Sequence, residues 1–224
     1  MGNAFRNLDF SIITTAVFSV IPALICITFH ELSHGFVAYK LGDRTAKDMG
    51  RLTFNPIKHI DVFGLLMMLV FGFGWAKPVP VNMLNFKNPK RGMAITALAG
   101  PVSNLLLAAV VMVIYGIALV PLAGSAKGSA GAAVLTMIDR TATLSIALAV
   151  FNMIPIPPLD GSKVLFSLMP DRAYIRLMQY ERFGFIILIV LMYTKVFDST
   201  IVRLTQSIGQ YMLEITIAVY RLLT

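Results

Sequence analysis

The chain has 224 residues, of which 57% are hydrophobic and only 13% are charged, and its mean hydropathy is +0.78. Soluble domains carry about 25% charged residues, so this composition excludes a soluble globular protein and indicates an integral membrane protein in one compact domain. The net charge of +8 suggests nucleic acid as a partner, but most basic residues lie in loops between apolar segments, as the positive-inside rule describes. We therefore expect a lipid bilayer around the chain and no nucleic acid.

The first apolar segment runs from about Phe10 to Lys40 and ends in the pattern H-E-x-x-H, formed by His30, Glu31 and His34. No signal-peptide pattern is present, so we expect the segment to remain in the mature protein. Residues four apart lie on one face of a helix, so the two imidazoles can bind one metal ion, and zinc is the usual occupant of such a pair. Glu31 lies one step round the helix, where its carboxylate can take a proton from a metal-bound water.

A basic loop follows, and within it Arg51–Phe54 alternates polar and apolar residues, which is a weak strand signal. The second apolar segment, Val62 to Trp75, contains three glycines and is shorter than the roughly 20 residues that cross a bilayer as a helix. A re-entrant element or a bent hairpin therefore explains it as well as a helix does. The third and fourth segments, Met93 to Leu122 and about Ala132 to Ile154, are long enough to span a bilayer.

Irregular backbone is expected after the fourth segment, because Pro155, Pro157 and Pro158 cannot continue a helix. Asp160 stands two residues beyond the last of these prolines. A carboxylate at membrane depth is costly unless it is paired or bound to metal, which makes Asp160 the best candidate for a third metal ligand. His59, the only other histidine, lies in a basic loop and is expected to be an interfacial or hydrogen-bonded residue.

The distribution of Lys and Arg predicts the orientation of the chain in the membrane. Five lie between Lys40 and Lys58 and four between Lys77 and Arg91, but only one lies in the loop between the third and fourth segments. With the two basic loops on the cytoplasmic side, the second segment dips in and returns, and the H-E-x-x-H motif and Asp160 both fall near the cytoplasmic ends of their segments. Two stretches far apart in sequence therefore reach one depth, as a shared metal site requires.

The C-terminal part gives weaker signals. Residues 171–182 are polar, residues 183–194 are apolar but few, and residues 200–223 place apolar side chains at helical intervals. The last stretch is either a packed span or an amphipathic helix lying on the membrane surface.

The elements together predict an all-α polytopic membrane protein with about five to six transmembrane or re-entrant segments and a small β element after the first helix. We expect a single domain over residues 1–224, with a catalytic core at about 10–169 and C-terminal helices at about 183–224.

The motifs resemble the site-2 protease family of intramembrane zinc metalloproteases. The H-E-x-x-H sequence is similar to that family's first motif, and residues 152–161, which end in L-D-G, are similar to its second. Residues 50–61, 74–81 and 99–104 also resemble the compact bacterial and archaeal branch of the family. The resemblance covers about residues 23–169.

The resemblance implies a role for each site residue. It implies that His30, His34 and Asp160 bind one zinc ion per chain. It implies that Glu31 acts as general base and then as proton donor to the leaving amine, while Asn152 holds substrate or the developing oxyanion. It further implies a membrane endopeptidase with a transmembrane protein as substrate. Together with the charge distribution, we expect a multi-pass protein of the cell membrane with its active site toward the cytoplasm.

Two other functions could use the same residues. A membrane metal-ion transporter or sensor would need the same ligands, but transporters are often built from internal repeats with broken helices, and we find no repeat. An inactive membrane scaffold is disfavoured because the motif residues are all present. Asn104, after Gly100 and Pro101 in the third segment, is expected to pack helices or cap backbone groups.

Overall fold

The computed structural model describes residues 10–71, 74–122 and 130–224, and these ranges form a bundle of helices without a β-sheet. Two short 3-10 turns lie at Pro56–His59 and Met83–Asn85. In chain order the α-helices are α1 (Phe10–Lys40), α2 (Thr45–Asp48), α3 (Val62–Phe71), α4 (Pro89–Leu122), α5 (Ala130–Asn152), α6 (Asp160–Ser167), α7 (Asp171–Thr194) and α8 (Asp198–Leu223).

Three helices are long and apolar enough to cross a membrane: Val17–Lys40 within α1, Pro89–Leu122 (α4) and Ala130–Asn152 (α5). They coincide with the first, third and fourth predicted segments and confirm a multi-pass helical membrane protein. The predicted total of five to six membrane segments is not confirmed, because no other helix meets these criteria among the described residues.

Helix α4 lies at the centre of the bundle, since it contacts α1, α5, α6 and α8. Gly116 lets α8 approach closely: a Cβ at this position would lie 2.8 Å from the carbonyl oxygen of Thr216. The Thr216 hydroxyl donates a hydrogen bond of 2.9 Å to the Met112 carbonyl. Small residues allow such close approach of helices in membranes. The C-terminal helix is therefore packed against the bundle.

The second apolar segment forms α3 and then returns to its starting point. Ile60 before the helix and Ala76 after it pair as an isolated antiparallel bridge, and the Lys77 N–H donates to the His59 carbonyl at 3.0 Å. Gly64 makes the return possible, because a Cβ there would collide with the Trp75 carbonyl. The two ends of the segment therefore lie side by side, as the bent-hairpin interpretation requires.

The β element predicted over Arg51–Phe54 is not confirmed, and β pairing in the described residues is limited to the single bridge. The backbone turns instead, because the Thr53 N–H bonds to the Arg51 carbonyl at 3.0 Å. The Thr53 carbonyl in turn lies 2.9 Å from Nε2 of His59. A strand needs a neighbouring strand whose backbone groups form hydrogen bonds with its own. The alternation of four residues does not indicate that such a neighbour exists.

The C-terminal helices begin earlier than predicted. Helix α7 starts at Asp171 rather than near Phe183, with the Tyr174 N–H bonded to the Pro170 carbonyl at 3.0 Å. Lys90 of α4 forms an ion pair of 3.0 Å with Asp171. The polarity of residues 171–182 argues against contact with lipid but not against helix formation. The predicted start of the C-terminal helices was therefore too late in the chain.

Candidate metal centre and active site

Helix α1 presents His30 and His34 one turn apart, as the helical period predicts. Their Nε2 atoms are 3.0 Å apart, and their rings are perpendicular with centroids 4.6 Å apart. Both side chains are buried. Gly100 of α4 makes room for them, because a Cβ there would lie 2.5 Å from Nε2 of His34 and 2.6 Å from Cε1 of His30. The close crossing of α1 and α4 therefore depends on a residue without a side chain.

Asp160 reaches the two imidazoles from the first turn of α6. Its Oδ2 lies 3.1 Å from Nε2 of both His30 and His34. The stretch before it is irregular and contains a cis Pro157–Pro158 peptide bond. Gly161 then allows the chain to turn, since a Cβ there would collide with the carbonyl of Met153. Two stretches remote in sequence thus meet at one buried point.

The chemistry of this cluster suits a metal cation. The Thr96 carbonyl lies 2.7 Å from Nδ1 of His34. A carbonyl only accepts, so Nδ1 carries a ring proton, and in the neutral ring Nε2 presents a lone pair to the Asp160 oxygen. Two such atoms 3.1 Å apart repel unless a proton or a metal cation lies between them.

Within the described part of the chain, His30, His34 and Asp160 are the one group of His, Cys or carboxylate side chains that could hold a metal ion. Two imidazole nitrogens and one carboxylate oxygen form a typical ligand set of catalytic zinc, which leaves a further position for water. The three residues therefore fit the zinc ion that the sequence predicted.

Glu31 lines a cavity of about 560 Å³. This volume lies within the usual range for ligand-binding pockets. Apolar residues of α1 and α5 form much of its wall, and His30, Glu31 and Asn152 also line it. Oε2 of Glu31 accepts a hydrogen bond of 2.8 Å from the Val79 N–H. The carboxylate is thus held by the backbone beside the cluster and borders the space that a substrate would enter.

Asn152 and His59 line the same cavity without joining the cluster. Asn152 is the last residue of α5, and its side-chain Nδ2 donates to the Leu148 carbonyl at 2.9 Å. His59 is buried and hydrogen-bonded to the Thr53 carbonyl through Nε2, in line with the expectation of a hydrogen-bonded histidine.

The sequence analysis gave no site role to four residues that contact the cluster or Glu31: Thr96, Gly100, Val79 and Lys163. Thr96 and Val79 contribute backbone groups, which have no signature in a sequence. Lys163 lies 3.9 Å from Oδ1 of Asp160, one helical turn further along α6. Gly100, followed by Pro101 inside an apolar helix, carried the one signal that could have marked a close helix approach.

A helical membrane fold with a buried His-His-carboxylate cluster and an adjacent glutamate is typical of a membrane metalloprotease. Comparison with known proteins agrees. Residues 117–195 match peptidase family M50. Several relatives bear the name "putative zinc metalloprotease". YwhC of Bacillus subtilis is 43% identical over 185 residues, which cover 78% of this chain and 80% of the relative.

Two further relatives are more distant. MJ0611 of Methanocaldococcus jannaschii is 33% identical over 162 residues, covering 72% of this chain and 75% of the relative. Rip2 of Mycolicibacterium smegmatis is 29% identical over 175 residues, covering 76% of this chain and 64% of the relative. No solved structure matches the chain. The chain belongs to peptidase family M50, the site-2 protease family of zinc metalloproteases.

Proposed function

We propose that this protein is an intramembrane zinc endopeptidase, which hydrolyses a peptide bond in or near the transmembrane segment of another membrane protein. The observation that carries the proposal is the buried cluster of His30, His34 and Asp160, formed by an apolar helix and the irregular chain after another. Peptide hydrolysis needs water, and irregular backbone at membrane depth is tolerated only where protein buries it or a water-filled cavity meets it. The cavity beside Glu31 provides that place.

The positions of the side chains support a role for each of them in this proposal. His30, His34 and Asp160 hold the zinc ion. When bound, zinc lowers the pKa of a coordinated water to about 7 and polarises the scissile carbonyl. Glu31 takes a proton from the attacking water and returns it to the leaving amine nitrogen. The bond from Val79 to Oε2 orients the carboxylate for both transfers.

Asn152 supports the substrate at the rim of the cavity. Its amide nitrogen has two hydrogens, and one of them is bonded to the Leu148 carbonyl. The second is available to donate to the carbonyl oxygen of a bound peptide or to the oxyanion that develops from it. Donors placed at such an oxyanion typically contribute about 2.7–4 kcal/mol to the lowering of the barrier.

The active site opens toward the cytoplasm in this proposal. The basic residues concentrate in the two loops that flank α3, at the end of α1 where the H-E-x-x-H motif lies. The positive-inside rule assigns such loops to the cytoplasmic face. The protein is then a multi-pass protein of the cell membrane that receives its substrate within the bilayer.

The test compares membrane proteomes of cells that carry the wild type or Glu31→Gln, together with the zinc content of each purified protein. Glu31→Gln should abolish the appearance of cleaved membrane-protein fragments and leave the zinc content near one per chain, while Asp160→Asn should lower both. Glu214→Gln makes the same chemical change on α8, far along the chain, and should change neither. If Glu31→Gln left the fragments unchanged and removed zinc flux instead, the chain would be a metal transporter and the proposal would be wrong.

A further inference from the structure

Asn104 of α4 is fully buried against the cluster but belongs to none of the roles above. Its amide Nδ2 lies 3.4 Å from Nδ1 of His30, the ring nitrogen that faces away from Asp160. Its Oδ1 has no hydrogen-bond partner. The Asn104 carbonyl accepts a bond of 2.8 Å from the Ser145 hydroxyl, so the residue is fixed between α1, α4 and α5. An unpaired amide oxygen in such a place is costly, about 1–3 kcal/mol.

The tautomer of the His30 ring determines which atom of the Asn104 amide must face its Nδ1. To bind a metal through Nε2, a neutral imidazole must carry its proton on Nδ1, and this proton requires an acceptor. His34 has that acceptor in the Thr96 carbonyl, at 2.7 Å from its Nδ1. For His30 the Asn104 amide is the partner at Nδ1. An amide NH2 group cannot accept, whereas an amide oxygen can.

The Asn104 amide can supply the acceptor without moving its backbone. The oxygen and nitrogen of an amide have nearly the same shape, so half a turn about the last side-chain bond places Oδ1 beside Nδ1 of His30 and leaves Nδ2 where Oδ1 lay. The present orientation leaves Oδ1 unpaired, and the tautomer of the His30 ring decides between the two orientations. Only the turned amide is compatible with a lone pair on Nε2 directed at a metal.

We propose that Asn104 is a positioning residue for His30: its Oδ1 accepts the hydrogen bond from the Nδ1–H and fixes the ring with Nε2 directed at zinc. The inference deepens the proposed function and depends on it, since it presumes zinc at His30, His34 and Asp160. Acceptors that hold a metal-bound imidazole in this way typically account for a 10- to 100-fold difference in metal affinity. Asn104 itself touches neither metal nor substrate.

The test is a zinc titration of the purified full-length protein in detergent, after removal of metal, against a chelator of known zinc affinity. Asn104→Leu keeps the volume but removes the acceptor, and should weaken zinc binding by roughly 10- to 100-fold. Asn104→Asp retains an acceptor oxygen and should bind zinc within a few-fold of the wild type. Thr216→Val removes another buried polar group that contacts α4, away from the cluster, and should leave the zinc affinity unchanged.

A second readout separates positioning from packing. Cobalt bound in place of zinc reports its ligand geometry through visible absorption, so the bands should shift in Asn104→Leu and stay in place in Asn104→Asp and Thr216→Val. If Asn104→Leu does not fold, Asn104→Ala, which only removes atoms, replaces it. Wild-type affinity in the variant that lacks the acceptor, or an equal loss in Asn104→Asp, overturns the inference.

The two proposals fail in different ways. A wild type that binds zinc near one per chain, together with an Asn104→Leu variant of equal affinity, overturns the role of Asn104 and leaves the peptidase intact. A wild type that binds no zinc, or binds it equally well after Asp160→Asn, overturns the assigned metal site and this inference with it.

Discussion

The backbone N–H of Val79 donates a hydrogen bond of 2.8 Å to Oε2 of Glu31. Val79 stands between Pro78 and Pro80, which have no N–H, so its amide is the one backbone donor in this tripeptide. Proline also restricts the residue before it to extended conformations, which keeps the donor directed at the carboxylate. The tripeptide therefore fixes one oxygen of Glu31 and leaves the other to accept a proton.

Gly35→Ala should disturb this relationship, because Gly35 lies on α1 against the side chains of Leu52 and Val79. A Cβ on Gly35 would lie 2.7 Å from Cδ2 of Leu52 and 2.9 Å from Cγ1 of Val79, so these two side chains must give way, and a shift of Val79 would displace its N–H from Glu31. Because a misplacement of about 1 Å can cost about 100-fold in rate, we expect kcat to fall roughly 10- to 100-fold while the zinc content stays the same. Peptide cleavage by the reconstituted protein and metal analysis measure the two effects.

The matched control is the double variant Gly35→Ala with Val79→Ala. It removes the Val79 methyl group that the new Cβ would meet at 2.9 Å, while the contact with Leu52 remains, and it keeps the Val79 backbone N–H. We expect it to recover part of the lost kcat. A loss of zinc in Gly35→Ala, or a double variant no more active than the single one, would show that Glu31 is not positioned in this way.

Gly100→Ala should weaken zinc binding rather than displace Glu31. Alanine favours a helix over glycine by about 1 kcal/mol, so the substitution would stabilise α4 if space were available. The new Cβ would instead lie 2.5 Å from Nε2 of His34. We expect zinc affinity to fall sharply, as measured by titration against a competing chelator. Gly209→Ala is the control, since its Cβ would meet only Cδ1 of Ile146 at 4.0 Å, and equal zinc affinity in both variants would contradict the prediction.

The meeting of His30, His34 and Asp160 was predictable, because it follows from local sequence spacing and from the lengths and charges of the segments. The spacing of His30 and His34 follows from the helical period, and the shared depth of Asp160 follows from segment lengths and the positions of basic residues. Neither argument needs a knowledge of tertiary packing. The three residues therefore came together in the structure as the sequence had suggested.

The surroundings of the cluster were not predictable in the same way. The contacts of Thr96 and Val79 use backbone atoms, which any residue type can supply. The strand expected at Arg51–Phe54 depended on a neighbouring strand that the fold lacks in its described part. The start of helix α7 was predicted too late in the chain, because the polarity of residues 171–182 indicates contact with water and says little about helix formation. These features depend on what the chain meets after folding.

Gly116→Ala should loosen the C-terminal helix. The added Cβ would lie 2.8 Å from the carbonyl oxygen of Thr216 and 3.0 Å from Cβ of Val219, and a backbone atom cannot move aside alone. Overpacking of this kind typically costs about 1–3 kcal/mol. Thermal unfolding in detergent should show a lower Tm than in Gly209→Ala, where α8 has space for a methyl group. If both variants unfolded at the wild-type temperature, the packing of α8 on α4 would be refuted.

Asp43 should make the stability of the protein depend on acid pH. It is buried beyond the end of α1 and accepts hydrogen bonds from Thr45, from the Asn82 N–H and from the Asn85 amide. Burial raises the pKa of the carboxyl, but the bonds from Thr45, Asn85 and Asn82 outweigh it and hold the pKa below its usual value. The stability that this carboxylate contributes is therefore complete above the unfolded pKa of about 3.9 and is lost as the pH falls through the lower folded pKa.

Asp43→Asn tests this dependence, because an amide NH2 would face the Asn82 N–H and one bond to a charged acceptor would be lost. We expect about 1–3 kcal/mol lower stability at pH 7 and a smaller further loss than in the wild type between pH 5 and pH 3. Other carboxylates titrate in both proteins, so the difference between the two unfolding curves isolates Asp43. If the stabilities of the two proteins fell in parallel between pH 5 and pH 3, the charge of Asp43 would not hold the end of α1 to the segment that follows Pro80.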